Sequence, residues 1–129
     1  MTFLLGALSL GACTPALPPE QAARERAEAY WAAMLVGDYI TAYRYEALST
    51  ESAADLQGYL TSRGGLQYSR AEVLDVRLVA EDRAEVLVAL AYRLPMLGTR
   101  DPIEAEAWSD WVLIDGAWYH RPQRGSFWR

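Results

Sequence analysis

The spacing of apolar residues changes once along this chain, at Gly64-Gly65. Before these glycines, apolar side chains recur every three or four residues, which is typical of helices that bury one face. After them, apolar and polar side chains alternate, which is typical of strands that bury one face. Helices followed by a run of strands predict an α+β fold in which the helices pack on one face of an antiparallel sheet.

The first predicted helix begins at Glu20 and presents one apolar stripe. The residues of this stripe are Ala23, Ala27, Tyr30, Trp31, Met34 and Leu35. Gly37 can end the helix in the left-handed conformation, because it has no Cβ to clash there. Asp38 can then cap a second helix, which is predicted from Tyr39 to about Ala47.

A third helix is predicted from Ser52, because Ser52-Ala53-Ala54-Asp55 has the form of a capping box. Four strands are predicted after the glycines. They span Tyr68–Ala80, Ala84–Leu94, Ile103–Ile114 and Ala117–His120. Asp115-Gly116, between the last two strands, indicates a type I′ hairpin turn.

The first twelve residues carry no charge, and the single cysteine of the chain, Cys13, follows them. This run is too short for a transmembrane helix, which needs about 20 apolar residues, but it fits the apolar region of an export signal. Leu10-Gly11-Ala12-Cys13 resembles the lipobox of bacterial lipoproteins. We therefore expect a signal peptide at 1–12, and a lipidated cysteine with a proline-rich tether at 13–19.

The resemblance to lipoproteins implies that the chain contacts the membrane through an acyl chain, such as palmitate, on Cys13. It also implies an outer-membrane protein that faces the periplasm, because Thr14 rather than an aspartate follows the cysteine. The alternative is the ordinary start of a cytosolic protein, in which the apolar stretch arises by chance and Cys13 is buried and inert.

Two segments resemble the nuclear transport factor 2-like superfamily, whose members include SnoaL-like cyclases. The first contains Tyr30-Trp31, Gly37-Asp38-Tyr39 and Ala42-Tyr43, and the second is Trp111-Val112-Leu113-Ile114-Asp115-Gly116-Ala117-Trp118-Tyr119. The resemblance covers about residues 20–121 and implies a cone-shaped domain, with three helices packed on a curved antiparallel sheet of about four strands. A tetratricopeptide repeat would also fit the predicted helix pair, but the chain has no internal period. Residues 122–129 would form a basic-aromatic tail.

Enzymes of this superfamily hold a carboxylate or histidine in the mouth of the cone. The resemblance therefore implies a small enzyme of the isomerase, dehydratase or cyclase type, in which this side chain transfers a proton. Asp110 and His120 are the candidate catalytic residues, which the last hairpin could bring together. The alternative is that Trp111 and Leu113 form the core side of their strand, which turns Asp110 outward, and that His120 is exposed. The aromatic candidates for lining a pocket are Tyr30, Trp31, Tyr39, Tyr43, Trp108 and Trp111.

Charge and composition exclude several functions. With twelve basic and seventeen acidic residues, the net charge of −5 argues against an electrostatic binder of nucleic acid. One histidine and one cysteine make neither a disulfide framework nor an ordinary metal site, and no cofactor motif is present. The leading hypothesis is a lipid-anchored, non-catalytic binding or assembly module, with an envelope protein or a small apolar ligand as partner. The alternatives are the pocket enzyme and a subunit that forms a homodimer through its sheet.

Overall fold

Residues 16–52, 54–63, 65–98 and 100–122 are described by the structure, which is a computed structural model. The predicted signal peptide, Cys13 and tail residues 123–129 lie outside these ranges. Within the described ranges, no helix has the length and apolar character that crossing a membrane requires.

Helix α1 spans Pro19–Leu35, one residue longer at its start than predicted. Pro19 is tolerated there because the first residue of a helix needs no intrahelical N–H donor. The predicted stripe is buried except at its end, where Leu35 is 37% exposed. Gly37 has a φ of +74°, and the Asp38 N–H donates to the Ala33 carbonyl at 2.9 Å, as expected for a glycine-terminated helix.

The short helices α2, Tyr39–Tyr43, and α3, Leu56–Thr61, follow. Asp38 caps α2 as predicted, because its carboxylate accepts the Thr41 N–H at 3.2 Å. The second helix ends before Ala47, and one turn of 3₁₀ helix spans Ala47–Thr50.

The predicted start of the third helix at Ser52 is wrong. Helix α3 starts four residues later, because the Asp55 carboxylate accepts the Gly58 N–H at 3.0 Å and is therefore the capping residue.

The strands form one antiparallel sheet in the order β1-β2-β3-β4. They span Gln67–Ala80, Arg83–Arg93, Ile103–Ile114 and Ala117–Arg121, close to the predicted limits. Asp115 and Gly116 have φ values of +48° and +83°, which confirms the type I′ turn. The prediction of an α+β domain with a four-stranded antiparallel sheet is therefore confirmed.

Strand β1 departs from the simple alternation that its sequence predicts. Its pairing with β2 shifts register at three points, one of them between Val73 and Asp75. Each such irregularity rotates the following side chains relative to the sheet. Leu74 lies at the shift between Val73 and Asp75 and is 38% exposed, whereas Val76, after the shift, is buried. Leu78 shares the face of Val76 but lies next to the shift near the end of the strand, and is 37% exposed.

The core lies between α1 and one face of the sheet. Its largest contributions come from aromatic and branched aliphatic side chains, which include Tyr30, Trp31, Val86, Val88, Leu90, Trp111 and Trp118. The predicted inward face of β2 is confirmed by the burial of its two valines and Leu90.

One end of the sheet, which we call the hairpin end, carries the Asp115-Gly116 turn. The first half of α1 lies here, because Arg26 Nε donates to the Trp118 carbonyl at 2.8 Å. The turn between β1 and β2 lies here as well, because the Leu113 N–H donates to the Asp82 carbonyl at 2.9 Å.

The opposite end, which we call the loop end, carries the connection between β2 and β3. Tyr92 pairs with Ile103 at this end, and one turn of 3₁₀ helix, Pro95–Leu97, forms part of the connection. The last turns of α1 lie beside the same end, because the rings of Trp31 and Tyr68 are 5.8 Å apart. Helix α1 therefore runs from the hairpin end to the loop end.

Candidate functional site

Glu46 is a carboxylate in the interior of the domain, with only 1% of its surface exposed. It lies between α2 and the following 3₁₀ turn, in extended backbone that forms an isolated parallel bridge with His120. The His120 N–H donates to the Tyr45 carbonyl at 2.7 Å. The segment that carries Glu46 is therefore hydrogen-bonded to the edge of β4 that faces away from β3.

Four side chains, from α1, α3, the residues after α3, and β4, surround this carboxylate. Tyr30 of α1 and Tyr59 of α3 direct their hydroxyls at Oε1, at 2.7 and 3.3 Å. His120 Nδ1 lies 2.8 Å from Oε2, and Arg63 Nη2 lies 3.6 Å from Oε1. We call these five residues the Glu46 cluster. It provides the hydrogen bonds and compensating charge that a buried carboxylate needs.

The pKa of Glu46 is lowered despite its burial. Burial raises this pKa, but the hydrogen bond and charge of His120, the hydrogen bond from Tyr30 and the charge of Arg63 together outweigh it. Glu46 is therefore ionised and acts only as an acceptor. Because a carboxylate only accepts, His120 Nδ1 is the donor of the 2.8 Å hydrogen bond to Oε2.

The two tyrosines and the arginine of the Glu46 cluster keep their protons, because the pKa of each is raised. Burial raises the pKa of Tyr30 and of Tyr59, and the negative charge of Glu46 raises both further. Burial lowers the pKa of Arg63, but the neighbouring Tyr30, Tyr59 and Glu46 outweigh it, and the pKa is raised. The Arg63 guanidinium also lies 4.4 Å above the Tyr59 ring. Both tyrosines therefore donate, and the arginine stays charged.

An open depression of about 280 Å³ adjoins the Glu46 cluster. Its walls come from the cluster, from α3 and its flanks, and from the end of β4: Glu46, Leu48, Asp55, Gly58, Tyr59, Ser62, Arg63 and Pro122. His120 does not line it; this ring stacks on Tyr30 with centroids 4.7 Å apart and has 13% of its side chain exposed. The depression offers a guanidinium, an exposed carboxylate and apolar surface to a bound group.

Asp110 and His120 lie on opposite faces of the sheet. Trp111 pairs with His120 across β3 and β4, and adjacent residues of a strand point to opposite faces. Trp111 is fully buried, so its face is the core side and Asp110 turns outward, as the second arrangement expected. The expectation that His120 is exposed is wrong, because its ring lies on the core side and only 13% of its side chain is exposed. The structure therefore does not bring the two catalytic candidates together.

The aromatic residues expected to line a pocket fill the core or pack elsewhere. Tyr30, Trp31 and Trp111 are 1%, 7% and 0% exposed, and Tyr39 packs against the same core. The Tyr43 ring lies 5.1 Å from that of Tyr59.

Trp108 lies on the outer face of the sheet, where the Arg77 guanidinium is 4.0 Å from its ring. Of the two depressions described in the structure, neither is lined by any of the six aromatic candidates.

Little in the amino-acid sequence indicates that Glu46 is buried. It falls within the segment expected to continue the second helix, and its contact with His120 joins residues 74 positions apart. One signal was available: the sole histidine shares a strand face with Trp118, and a buried imidazole needs a polar partner. Among the described residues, no group of three or more His, Cys, Asp or Glu side chains could hold a metal ion.

Comparisons with known proteins give similarity to solved structures only, because no protein-family model and no curated protein matches the chain. A SEC-C motif containing protein from Psychrobacter arcticus has a TM-score of 0.61 at 13% identity, over 90% of this chain and 67% of that one. A second, from Rhodopseudomonas palustris, has a TM-score of 0.53 at 15% identity, over 71% and 69%. At these identities the similarity shows a shared fold alone.

A provisionally named polyketide cyclase from Xanthomonas campestris has 16% identity over 81% of this chain and 92% of that one. Its TM-score of 0.46 is too low to support an argument.

Proposed function

We propose that this chain is a lipid-anchored, non-catalytic binding or assembly module of the bacterial cell envelope. Its domain would be of the nuclear transport factor 2-like type, attached through Cys13 to the outer membrane and facing the periplasm. Its partner would be an envelope protein or a small apolar ligand. The register shifts of β1 support the fold assignment, because such irregularities bend a sheet as a cone-shaped domain requires.

The observation that carries the proposal is the filled interior. Tyr30, Trp31 and Trp111 occupy the space between α1 and the sheet, and none is more than 7% exposed. An enzyme that encloses its substrate in a cone needs that space to be empty. What this domain offers a partner is the open depression beside Tyr59 and Arg63.

The electrostatics of Glu46 support the same conclusion. A carboxylate that moves protons near neutral pH needs a raised pKa, so that its protonated and ionised forms are both accessible. The pKa of Glu46 is lowered instead, and Tyr30, Tyr59, His120 and Arg63 already occupy its oxygens. Glu46 therefore fits a structural role, holding α1, α3 and β4 together.

Binding without chemistry can be tested on the purified chain. A panel of small apolar molecules is screened for compounds that raise the melting temperature, and each such compound is examined by proton NMR after incubation. We expect it to be recovered unchanged. Leu48→Arg, which fills the depression, should abolish the shift, whereas the matched Leu17→Arg in the other depression should keep it. A compound that is converted would contradict the proposal.

The lipid anchor needs a separate test in bacteria that produce the chain. Cells are labelled with a palmitate analogue, and the wild-type chain is compared with Cys13→Ala. We expect label on the wild-type chain and none on the variant. An unlabelled wild-type chain would contradict anchoring but would leave the binding proposal standing.

A second candidate function is a small enzyme of isomerase, dehydratase or cyclase type that uses His120 for proton transfer. The contact between His120 Nδ1 and Glu46 favours it, because a carboxylate that holds one ring nitrogen leaves Nε2 oriented as a base. Asp110 does not support this function, because it lies on the other face of the sheet. In the NMR experiment, a conversion that is lost in His120→Gln would identify the enzyme.

A further inference from the structure

The connection between β2 and β3 carries two of the most exposed apolar side chains in the described part of the chain. Met96 is 91% exposed and Leu97 is 73% exposed. Both lie at the loop end, in the 3₁₀ turn Pro95–Leu97. Exposed apolar side chains grouped at one place often mark a contact surface.

The backbone of this connection is a defined turn. The Leu97 N–H donates to the Leu94 carbonyl at 3.0 Å, and the Gly98 N–H donates to the Pro95 carbonyl at 3.1 Å. Pro95 begins the 3₁₀ turn, and Gly98 ends it with a φ of +63°. The turn therefore presents Met96 and Leu97 at its tip.

The charges around the tip are the reverse of those in the chain as a whole. Arg93 and Arg100 flank the turn, and Asp101 is the single acid between Arg93 and Pro102. This segment is therefore net positive, in a chain whose net charge is −5. Two apolar side chains between two arginines match the boundary of an anionic bilayer, where apolar groups enter the acyl region and guanidinium groups meet phosphates.

We infer that the tip, Met96 and Leu97 with Arg93 and Arg100, inserts into the surface of an anionic lipid bilayer. The carboxylates of Glu104 and Glu106 on the nearby outer face would be repelled by that surface, which confines the contact to the tip. This contact is separate from the proposed acyl chain on Cys13 and does not depend on it.

Both membrane contacts can be made by one molecule that lies on its side. Helix α1 has 17 residues, which gives it a length of about 25 Å between the hairpin end and the loop end. The described part of the proposed tether, residues 16–18, leads directly into the start of α1 at the hairpin end. An anchored domain can therefore place the long axis of α1 along the membrane and bring the tip to the same surface.

The test uses the full chain with Cys13→Ser, so that Met96→Cys introduces a single cysteine for a polarity-sensitive fluorophore. Its control is Val79→Cys, which places the same label on an exposed position near the hairpin end. We expect the Met96 label alone to shift to the blue with vesicles of phosphatidylglycerol and phosphatidylcholine. Vesicles of phosphatidylcholine alone should leave it unshifted.

Unlabelled variants measure the affinity for the same anionic vesicles. Met96→Ser and Leu97→Ser should each weaken binding by about tenfold, since each removes an inserted apolar side chain. Arg93→Gln and Arg100→Gln should each weaken it by about fivefold, and Val79→Ser should leave it unchanged. Residues 1–12 are common to all these chains, so any contribution that they make to vesicle affinity cancels when the variants are compared.

Three results would overturn the inference. A Met96 label that stays unshifted with anionic vesicles shows that the tip does not insert. An equal shift with vesicles of phosphatidylcholine alone shows that the two arginines do not select an anionic surface. A shift with polyglutamate but not with vesicles assigns the tip to an acidic protein instead of a bilayer.

Discussion

Glu46 Oε2 and His120 Nδ1 are 2.8 Å apart, although 74 positions separate the two residues in the chain. The contact joins the segment after α2 to β4, beside the backbone hydrogen bond from the His120 N–H to the Tyr45 carbonyl. Tyr30 brings α1 to the same carboxylate, and Tyr59 brings α3. One buried side chain thus links α1, α3 and β4 to the segment after α2, so its loss should destabilise the whole domain.

Glu46→Gln should destabilise the domain by about 2–4 kcal/mol. Glutamine has nearly the same shape, but its amide places N–H donors against groups that donate to the carboxylate, and it removes the charge that compensates Arg63. The measurement is the free energy of unfolding in urea. Glu28→Gln is the control, because Glu28 is 54% exposed and its ion pair with Arg24 is long, at 3.8 Å. The two variants behaving alike would show that the Glu46 cluster does not stabilise the fold.

The Glu46 cluster also predicts a loss of stability in acid. The pKa of Glu46 is lowered in the folded chain from its ordinary value of 4.5, so the unfolded chain takes up a proton at higher pH than the folded one. Its contribution is complete above pH 4.5 and is lost as the pH falls through the folded pKa. Unfolding in urea across this range should show the gap between wild type and Glu46→Gln closing as the pH falls. A gap independent of pH would mean that Glu46 is not ionised.

The elements that sequence reasoning located are those whose signals are local. The stripe of α1, the alternation in β2 and the Asp115-Gly116 turn each depend on residues within a few positions of one another. Helix α3 was misplaced by a competition between two local signals. Ser52 and Asp55 both favour a cap, and Asp55 is the residue whose carboxylate reaches the Gly58 N–H.

The candidate site was predicted only in part, because its members come from separate elements. His120 was identified as a candidate, but Glu46 was not, since no nearby residue indicates that it turns inward. Asp110 was placed with His120 because the hairpin brings β3 and β4 together. In the observed register Trp111 rather than Asp110 pairs with His120, so Asp110 lies on the opposite face. A shift of one residue in register would have exchanged the two faces.

Gly116→Ala should destabilise the domain by about 1–2 kcal/mol. Gly116 has a φ of +83°, a conformation in which a Cβ clashes with the backbone. Gly65→Ala is the matched control, because a Cβ there meets nothing within 4 Å and its φ lies outside the left-handed range. Thermal unfolding of the two variants should separate them by several degrees. If the two variants were equally stable, the left-handed conformation of Gly116 would not be costly for alanine, contrary to the prediction.

The two faces of β3 can be distinguished by matched tryptophan substitutions. Trp111 is 0% exposed and its ring is 5.7 Å from that of Tyr30, so Trp111→Ala opens a cavity in the core and should cost about 3–5 kcal/mol. Trp108 lies on the outer face beneath Arg77, and Trp108→Ala should cost about 1 kcal/mol. Urea unfolding measures both, and the emission of the remaining tryptophans reports whether the core has changed. Equal losses of stability in the two variants would mean that the outer face of the sheet is buried as well. Asp110, which shares that face with Trp108, would then also be a buried group.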